Sequence, residues 1–147
     1  LGAEVVQLDV TDPASAERLS RALGSRPVSL LINNAGILPM MRSLEEIDMD
    51  TFERVMDVNT LGPVRVTRAV LPNLRAGQLR QIVNITSTLG SIARNTSGGF
   101  YGYRESKAAL NMFTRSLAAG PHSRTATRSR SSPMASLRAY RARLPLR

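Results

Sequence analysis

The chain has 147 residues, 42% of them hydrophobic, with no cysteine and a single histidine. This composition is typical of a globular domain, and it excludes disulfide bonds, thiolate metal sites, a cysteine nucleophile and a cluster of metal-binding histidines. The net charge of +9 is uneven, because residues 120–147 hold seven arginines and no acidic residue. No apolar run is long enough to cross a membrane, and no basic-then-apolar leader opens the sequence. We therefore expect a cytoplasmic protein that contacts neither membrane nor metal.

Three short runs rich in valine, isoleucine and leucine predict strands. They comprise residues 4–8 (EVVQL), 28–32 (VSLLI) and 81–85 (QIVNI). The second run is apolar apart from Ser29, as expected of a strand that is buried on both faces. Helical patterns follow each run, and such alternation predicts an α/β fold with a parallel sheet.

The helical patterns carry recognisable ends and one interruption. Asp12-Pro13 predicts the start of the first helix and Gly24 predicts its end. A long second helix begins near Asp50, and Gly62-Pro63 predicts an irregularity within it, since proline lacks the N–H that a helix interior requires. A third helix is predicted over residues 103–118.

Polar or small residues follow each predicted strand directly. Asp9-Val10 follows the first strand, residues 33–36 (NNAG) follow the second, and Thr86-Ser87 follows the third. Ligands of parallel α/β sheets bind outside the carboxyl ends of the strands. The three groups together therefore predict a lined crevice.

Tyr103 and Lys107 lie four residues apart in a predicted helix and therefore on one face of it. Lys107 is the only lysine in the chain, and the other 19 basic residues are arginine. An ammonium group beside a phenol favours the phenolate form, which suits general acid/base chemistry. The alternative is an ordinary surface lysine beside a core tyrosine. Tyr101 lies six residues before Lys107 and cannot share this face.

Four segments resemble the short-chain dehydrogenase/reductase family in order and spacing: NNAG at 33–36, VNTLG at 58–62, NITS at 84–87 and YRESK at 103–107. The sequence around YRESK is most similar to the C-factor and sniffer-like branch of small carbonyl reductases. The resemblance covers residues 1–119. It implies a partial Rossmann-type, doubly wound parallel sheet and an NAD(P)-dependent oxidoreductase that transfers a hydride between the cofactor and a carbonyl or alcohol.

The resemblance also implies a role for each matching residue. Tyr103 would be the general acid/base, Lys107 would favour its phenolate and hydrogen-bond the nicotinamide ribose, and Ser87 would polarise the substrate carbonyl. Asn59 would hold a water that links Lys107 to solvent. Asp9 would bond the adenine amino group. The cofactor-binding set is Asp9, Val10, Asn33, Ala35, Gly36, Tyr103 and Lys107.

Further expectations concern the cofactor and the partners. The resemblance implies NADP or NAD, with NADP favoured, and a small-molecule carbonyl substrate. It also implies a homo-oligomer, in an intact protein, through the helices around residues 51–75 and 103–118.

The sequence departs from the family pattern at both ends. No Gly-rich turn stands between the first strand and the first helix, so we expect the match to begin at the family's third strand. In the family's strand order, 3-2-1-4-5, residues 4–8 then lack a neighbour and one edge of residues 28–32 is exposed. After residue 119 we predict a basic, disordered tail, as a shifted reading frame would give.

Two other hypotheses follow from these departures. The first is an inactive, truncated or frameshifted reductase fragment. The second is nucleic-acid binding through the arginines of the tail. The sequence disfavours the second, because Tyr140 is the only aromatic residue available there for base stacking.

Overall fold

The computed structural model describes residues 2–119 and 137–143. These residues form three strands and five α-helices, with one π-helical turn and two 3₁₀ turns. The strands are β1 (Leu30–Asn33), β2 (Gln81–Ser87) and β3 (Leu137–Arg143). The α-helices are α1 (Pro13–Leu23), α2 (Met49–Met56), α3 (Gly62–Ala69), α4 (Leu71–Ala76) and α5 (Tyr103–Ala119); the π-helical turn is Asp57–Leu61, and the 3₁₀ turns are Thr88–Gly90 and Ile92–Arg94.

Strand β2 is central in the sheet, in the order β1-β2-β3. Strands β1 and β2 run parallel, with Leu30 opposite Gln81 and Asn33 opposite Asn84. The predicted α/β architecture with parallel pairing is therefore confirmed. A hydrophobic cluster of Val70, Leu74, Ile82 and surrounding apolar residues joins the sheet to the helices. No helix in the described part of the chain is long and apolar enough to span a bilayer.

The first helix begins and ends as its sequence predicts. The Asp12 carboxylate accepts hydrogen bonds from the backbone N–H groups of Ala14 and Ser15, which have no partner within the helix. Pro13 occupies the first helical position, where no N–H is needed. Gly24 ends the helix with a φ of 55°, a value that favours glycine.

The predicted strand over residues 4–8 is wrong, because the structure shows these residues without strand pairing. A strand needs a partner for its backbone groups, and the described chain places none beside this segment. Val5 is 92% exposed, while Leu30 and Ile32 on β1 are 43% and 54% exposed. The predicted exposure of the edge of the second strand is therefore confirmed.

The second strand is shorter than predicted, covering Leu30–Asn33 instead of residues 28–32. The Val28 N–H donates to the Asn73 carbonyl on α4 at 2.9 Å, while the Ser29 carbonyl accepts from the Gln81 N–H at the start of β2 at 3.0 Å, so the chain joins the sheet only from Ser29 onward.

The structure also differs from the prediction in the tail. The sequence indicates no strand after residue 119, yet Leu137–Arg143 forms β3 and pairs antiparallel with the whole of β2. This pairing satisfies backbone groups on the second edge of β2, a requirement that the apolar pattern of the tail does not reveal. The rest of the predicted disordered tail, residues 120–136 and 144–147, lies outside the described residues.

The irregularity predicted near Gly62-Pro63 is confirmed as a π-helical turn over Asp57–Leu61. The Gly62 N–H bonds to the Asp57 carbonyl, five residues earlier, because Pro63 cannot continue the α-helical pattern. Asn59 lies within this wider turn and is fully buried. Such turns within helices are frequent at functional sites.

Gly77→Ala tests how closely the turn after α4 approaches the start of β1. A methyl group on Gly77 would overlap the Val28 carbonyl oxygen and lie 2.5 Å from its carbon. Because both contacts are backbone, the chain must shift, and we expect a loss of at least ~2 kcal/mol in the free energy of unfolding. Urea denaturation measures this loss. Gly2→Ala, with nothing within 4 Å of the added carbon, is the matched control, and equal stability of the two variants would contradict the packing.

Candidate active site

Helix α5 presents Tyr103 and Lys107 from its first turns. Both side chains are buried, Tyr103 at 8% exposed and Lys107 at 4%. The Lys107 Nζ lies 5.7 Å from the centre of the Tyr103 ring. It donates a hydrogen bond to the Ile85 carbonyl on β2 at 3.0 Å. The single lysine is therefore not an ordinary surface residue: it points inward, beside the tyrosine.

Burial lowers the pKa of the Lys107 ammonium below its usual value of 10.5. The physical cause is desolvation, which disfavours the charged form of a buried amine. The carbonyl of Ile85 offsets part of this cost by accepting a hydrogen bond. A charged group held in this way exerts a stronger local field than it would in water.

Asn59 connects the segment after β1 to helix α5. Its Oδ1 accepts from the Ile37 N–H at 2.8 Å, and its Nδ2 donates to the Ile37 carbonyl at 2.9 Å. The same Nδ2 donates to Ser106 Oγ at 3.0 Å, and Ser106 Oγ donates to the Tyr103 carbonyl at 2.8 Å. Both Nδ2 hydrogens are thus used, so the side chain of Asn59 has a structural function in addition to any contact with water.

The Asn59 amide oxygen and the Lys107 ammonium both lie close to Gly36. A methyl group on Gly36 would lie 3.3 Å from Asn59 Oδ1 and 3.4 Å from Lys107 Nζ. The absence of a side chain therefore leaves the amide oxygen and the ammonium facing the same small space. A side chain at this position would make tight contacts with the Asn59 amide, so glycine eases the close approach of the segment after β1.

Ser87 lies at the end of β2 and is buried, with its hydroxyl accepting from the Leu89 N–H at 3.1 Å. The segment that follows packs directly on α5. A methyl group on Gly90 would lie 2.8 Å from two carbons of Lys107. The Asn111 amide donates to the Gly90 carbonyl at 3.1 Å. Close packing at Gly90 therefore fixes the position of Ser87 relative to the tyrosine and the lysine.

Three of the residues predicted to bind the cofactor line one cavity of about 250 Å³: Val10, Asn33 and Ala35. This cavity lies beside β1. Asp9 is exposed and lines a separate, more open cleft of about 1130 Å³ along α2. Hydrogen bonds from the Thr11 hydroxyl and N–H lower the pKa of Asp9, so its carboxylate stays ionised and can accept hydrogen bonds.

Asn33 and Asn84 belong to a buried hydrogen-bond network that sequence reasoning missed. Asn33 Nδ2 donates to Asn84 Oδ1 at 2.8 Å and to Thr67 Oγ1 at 3.4 Å. Asn84 Nδ2 donates to Thr114 Oγ1 at 2.8 Å. Asn33 therefore joins β1 to β2 and α3, and Asn84 joins β2 to α5. The signal was present in the sequence, as an amide within an apolar strand needs a specific partner.

Tyr101, the other tyrosine near the site, lies before α5 and not on it. Its N–H donates to the Met41 carbonyl at 3.0 Å, which attaches this loop to the segment after β1. The structure brings Tyr103, Lys107, Asn59 and Gly36 together, whereas Asp9 and Val10 line two cavities that contain none of these four residues.

Comparison with known proteins shows the family of this chain. A family model described as short chain dehydrogenase matches residues 2–125. C-signal of Myxococcus xanthus is 52% identical over 91 residues, covering 62% of this chain and 55% of the relative. Retinol dehydrogenase 5 of Mus musculus is 42% identical over 114 residues, covering 75% of this chain and 34% of the relative.

Solved structures show the same likeness. The carbonyl reductase Sniffer of D. melanogaster superposes with a TM-score of 0.72 at 31% identity, covering 78% of this chain and 52% of that structure. The NADPH-bound carbonyl reductase from chicken fatty liver gives a TM-score of 0.71 at 34% identity, covering 80% and 50%. The chain belongs to the short-chain dehydrogenase/reductase family, and it spans about half, or less, of the length of these relatives.

The lone lysine allows a direct test of the buried ammonium. A chain labelled with ¹³Cε-lysine gives one signal. We expect the pKa of Lys107 read from this signal to be lower in the folded protein than after unfolding in urea, where it should be near the ordinary lysine value of about 10.4. Between the two pKa values the unfolded chain binds more protons, so stability should rise with pH relative to Lys107→Met. Equal pKa values in the folded and unfolded chains would show that Lys107 is solvated.

Proposed function

We propose that this chain carries the catalytic centre of an NAD(P)-dependent oxidoreductase acting on a carbonyl/alcohol pair. The observation that carries the proposal is the convergence of Asn59 Oδ1 and Lys107 Nζ on the space above Gly36, beside the buried ring of Tyr103. A buried amine next to a phenol is the kind of perturbed group that marks functional sites.

The chain's own groups have distinct roles in this proposal. The Tyr103 hydroxyl gives its proton to the carbonyl oxygen in reduction and takes it back in oxidation. The Lys107 ammonium places a positive charge beside the Tyr103 ring, where negative charge develops during proton transfer. The Ser87 hydroxyl donates to the same carbonyl oxygen and polarises it.

Asn59 supports proton transfer in two ways. Its amide holds the segment after β1 against α5 through Ile37 and Ser106. An amide oxygen has two lone pairs, and the Ile37 N–H uses one of them. In our proposal the other holds the water that links Lys107 to solvent.

The residues of this site fit a nicotinamide dinucleotide. Lys107 would hydrogen-bond the nicotinamide ribose, and Asn33, Ala35 and Gly36 would line the cleft, with Asn33 contributing through its main chain because its amide is engaged by Asn84. The ionised Asp9 would accept from the adenine amino group, with Val10 beside it. The dinucleotide supplies or accepts the hydride. NADP is favoured over NAD, and a relative bound to NADPH supports this preference.

The other expectations remain proposals: a small-molecule carbonyl substrate, a cytoplasmic location and pairing of subunits through the long helices. Exposed apolar side chains on these helices, Met49, Leu61 and Met112, support pairing. Size-exclusion chromatography with light scattering measures the oligomeric state.

Thermal melting with and without NADP⁺ or NAD⁺, together with NADPH oxidation in the presence of a ketone or aldehyde panel, tests the proposal on the full chain. A ligand at 100 times its Kd stabilises the folded state by ~2.7 kcal/mol, which melting detects. If neither cofactor stabilises the chain and no carbonyl is reduced, the result contradicts our proposal and favours the inactive-fragment hypothesis.

Tyr103→Phe removes the hydroxyl and leaves the ring in place. We expect turnover to fall by ~10²–10⁴-fold, the usual contribution of a general acid/base, while the rise in melting temperature with NADP⁺ stays unchanged. Tyr101→Phe, on the loop before α5, should retain turnover and is the matched control. Substantial activity of Tyr103→Phe would refute the assignment.

A further inference from the structure

Arg104 is a buried charged residue that the proposed chemistry does not use. It follows Tyr103 directly in α5 and is 8% exposed. Burying a guanidinium is costly unless its donors find acceptors, so its surroundings need an explanation.

The Arg104 guanidinium donates almost entirely to the backbone of one loop. Its Nε donates to the carbonyls of Gly98 and Gly99 at 3.1 and 2.8 Å. Its Nη2 donates to the Gly98 carbonyl at 2.9 Å and to Ser97 Oγ at 3.0 Å. Its Nη1 donates to the Leu89 carbonyl at 3.4 Å. One side chain therefore joins both ends of the segment between β2 and α5.

The same loop has an uncommon backbone conformation. Three consecutive residues, Gly98, Gly99 and Phe100, have φ values of 63°, 65° and 55°. A left-handed φ at a bulky residue such as Phe100 is strained and persists only where its surroundings hold it. The Arg104 Cζ lies 5.8 Å from the centre of the Phe100 ring, close enough for a cation–π contact.

The loop connects the two ends of the proposed reacting site. It begins after the segment that carries Ser87 and ends at Tyr103. Its far side is attached to the chain after β1, through the Tyr101 N–H and the Met41 carbonyl at 3.0 Å. Residues 92–98 are exposed, so no hydrophobic core holds this part of the loop in place.

We propose that Arg104 is a positioning residue that holds residues 97–100 in one conformation and thereby shapes the wall of the substrate site beside Tyr103. The part that concerns substrate rests on the proposed function; the part that concerns the loop does not. Arginine suits this role because its planar fork supplies five donors at fixed angles, and a lysine offers only a point charge.

Hydrogen–deuterium exchange on the full chain tests whether Arg104 holds the loop, and it needs no turnover. In Arg104→Met we expect the amides of residues 95–102 to exchange at least ~10-fold faster, because local opening now requires less free energy. Amides of residues 108–118 should change much less. Arg115→Met, an exposed arginine on the same helix, is the matched control and should leave the loop unchanged.

Arg104→Lys separates geometry from charge and replaces the methionine variant should that one fail to fold. It retains the positive charge, so unaltered exchange of the loop in this variant would overturn the role of the guanidinium fork. Unaltered exchange in Arg104→Met would overturn the proposal that Arg104 holds residues 97–100 in one conformation. Faster exchange in both variants supports the proposal.

A pair of ketones, acetone and acetophenone, tests the effect on substrate with NADPH as reductant. If Arg104 shapes the wall of the substrate site, Arg104→Met should alter the KM for acetophenone by ~10-fold more than the KM for acetone, with kcat changing little. Equal effects on both ketones would overturn the substrate role. If the wild-type chain reduces no ketone or aldehyde of the panel and NADP⁺ does not raise its melting temperature, the proposed function fails, and hydrogen exchange alone decides whether Arg104 holds the loop.

Discussion

The amide of Asn59 is the contact on which the arrangement of this site depends. It is fully buried and makes hydrogen bonds at both ends, to the backbone of Ile37 and to the hydroxyl of Ser106. A buried polar group that lost these partners would incur the full cost of desolvation, so the geometry is strongly specified. The π-helical turn enforced by Pro63 gives Asn59 its place. An irregular turn in one helix thus sets the distance between the chain after β1 and helix α5.

A second group of contacts holds α5 from the side of β2, in addition to the hydrogen bonds of Asn59. Gly90 packs on the backbone of Lys107 with no room for a methyl group, and Thr86 Oγ1 donates to the Lys107 carbonyl at 3.4 Å. The ammonium of Lys107 donates to the same strand, at Ile85. The contacts of Asn59 and those from the side of β2 together bury Lys107, and this burial lowers its pKa. Packing by residues that touch no substrate therefore sets the electrostatics of the lysine, and through it the field at Tyr103.

Sequence reasoning succeeded where the determining interactions are local. The cap of α1 at Asp12 and the shared face of Tyr103 and Lys107 each follow from spacing alone. It failed where the outcome depends on distant partners. Residues 4–8 have the composition of a strand but no neighbour to pair with, and residues 137–143 lack a clear pattern yet complete the edge of β2. Arg104 was overlooked for the same reason, because a lone arginine in a helix looks like a solvated surface residue until its backbone acceptors are known.

The surroundings of Tyr103 and of Asp9 support these residues unequally. The site around Tyr103 is enclosed by hydrogen bonds among α5, β2 and the π-helical turn. Asp9 belongs to an irregular segment that is attached mainly by exposed or half-buried contacts: the Asp9 N–H donates to Ser15 Oγ at 2.9 Å, Arg65 Nη1 donates to the Val10 carbonyl at 3.3 Å, and the Arg26 guanidinium pairs with the Glu4 carboxylate. This segment also faces the open edge of β1, where Ile32 is half exposed. The surroundings therefore hold the proposed cofactor contact at Asp9 less firmly than they hold Tyr103 and Lys107.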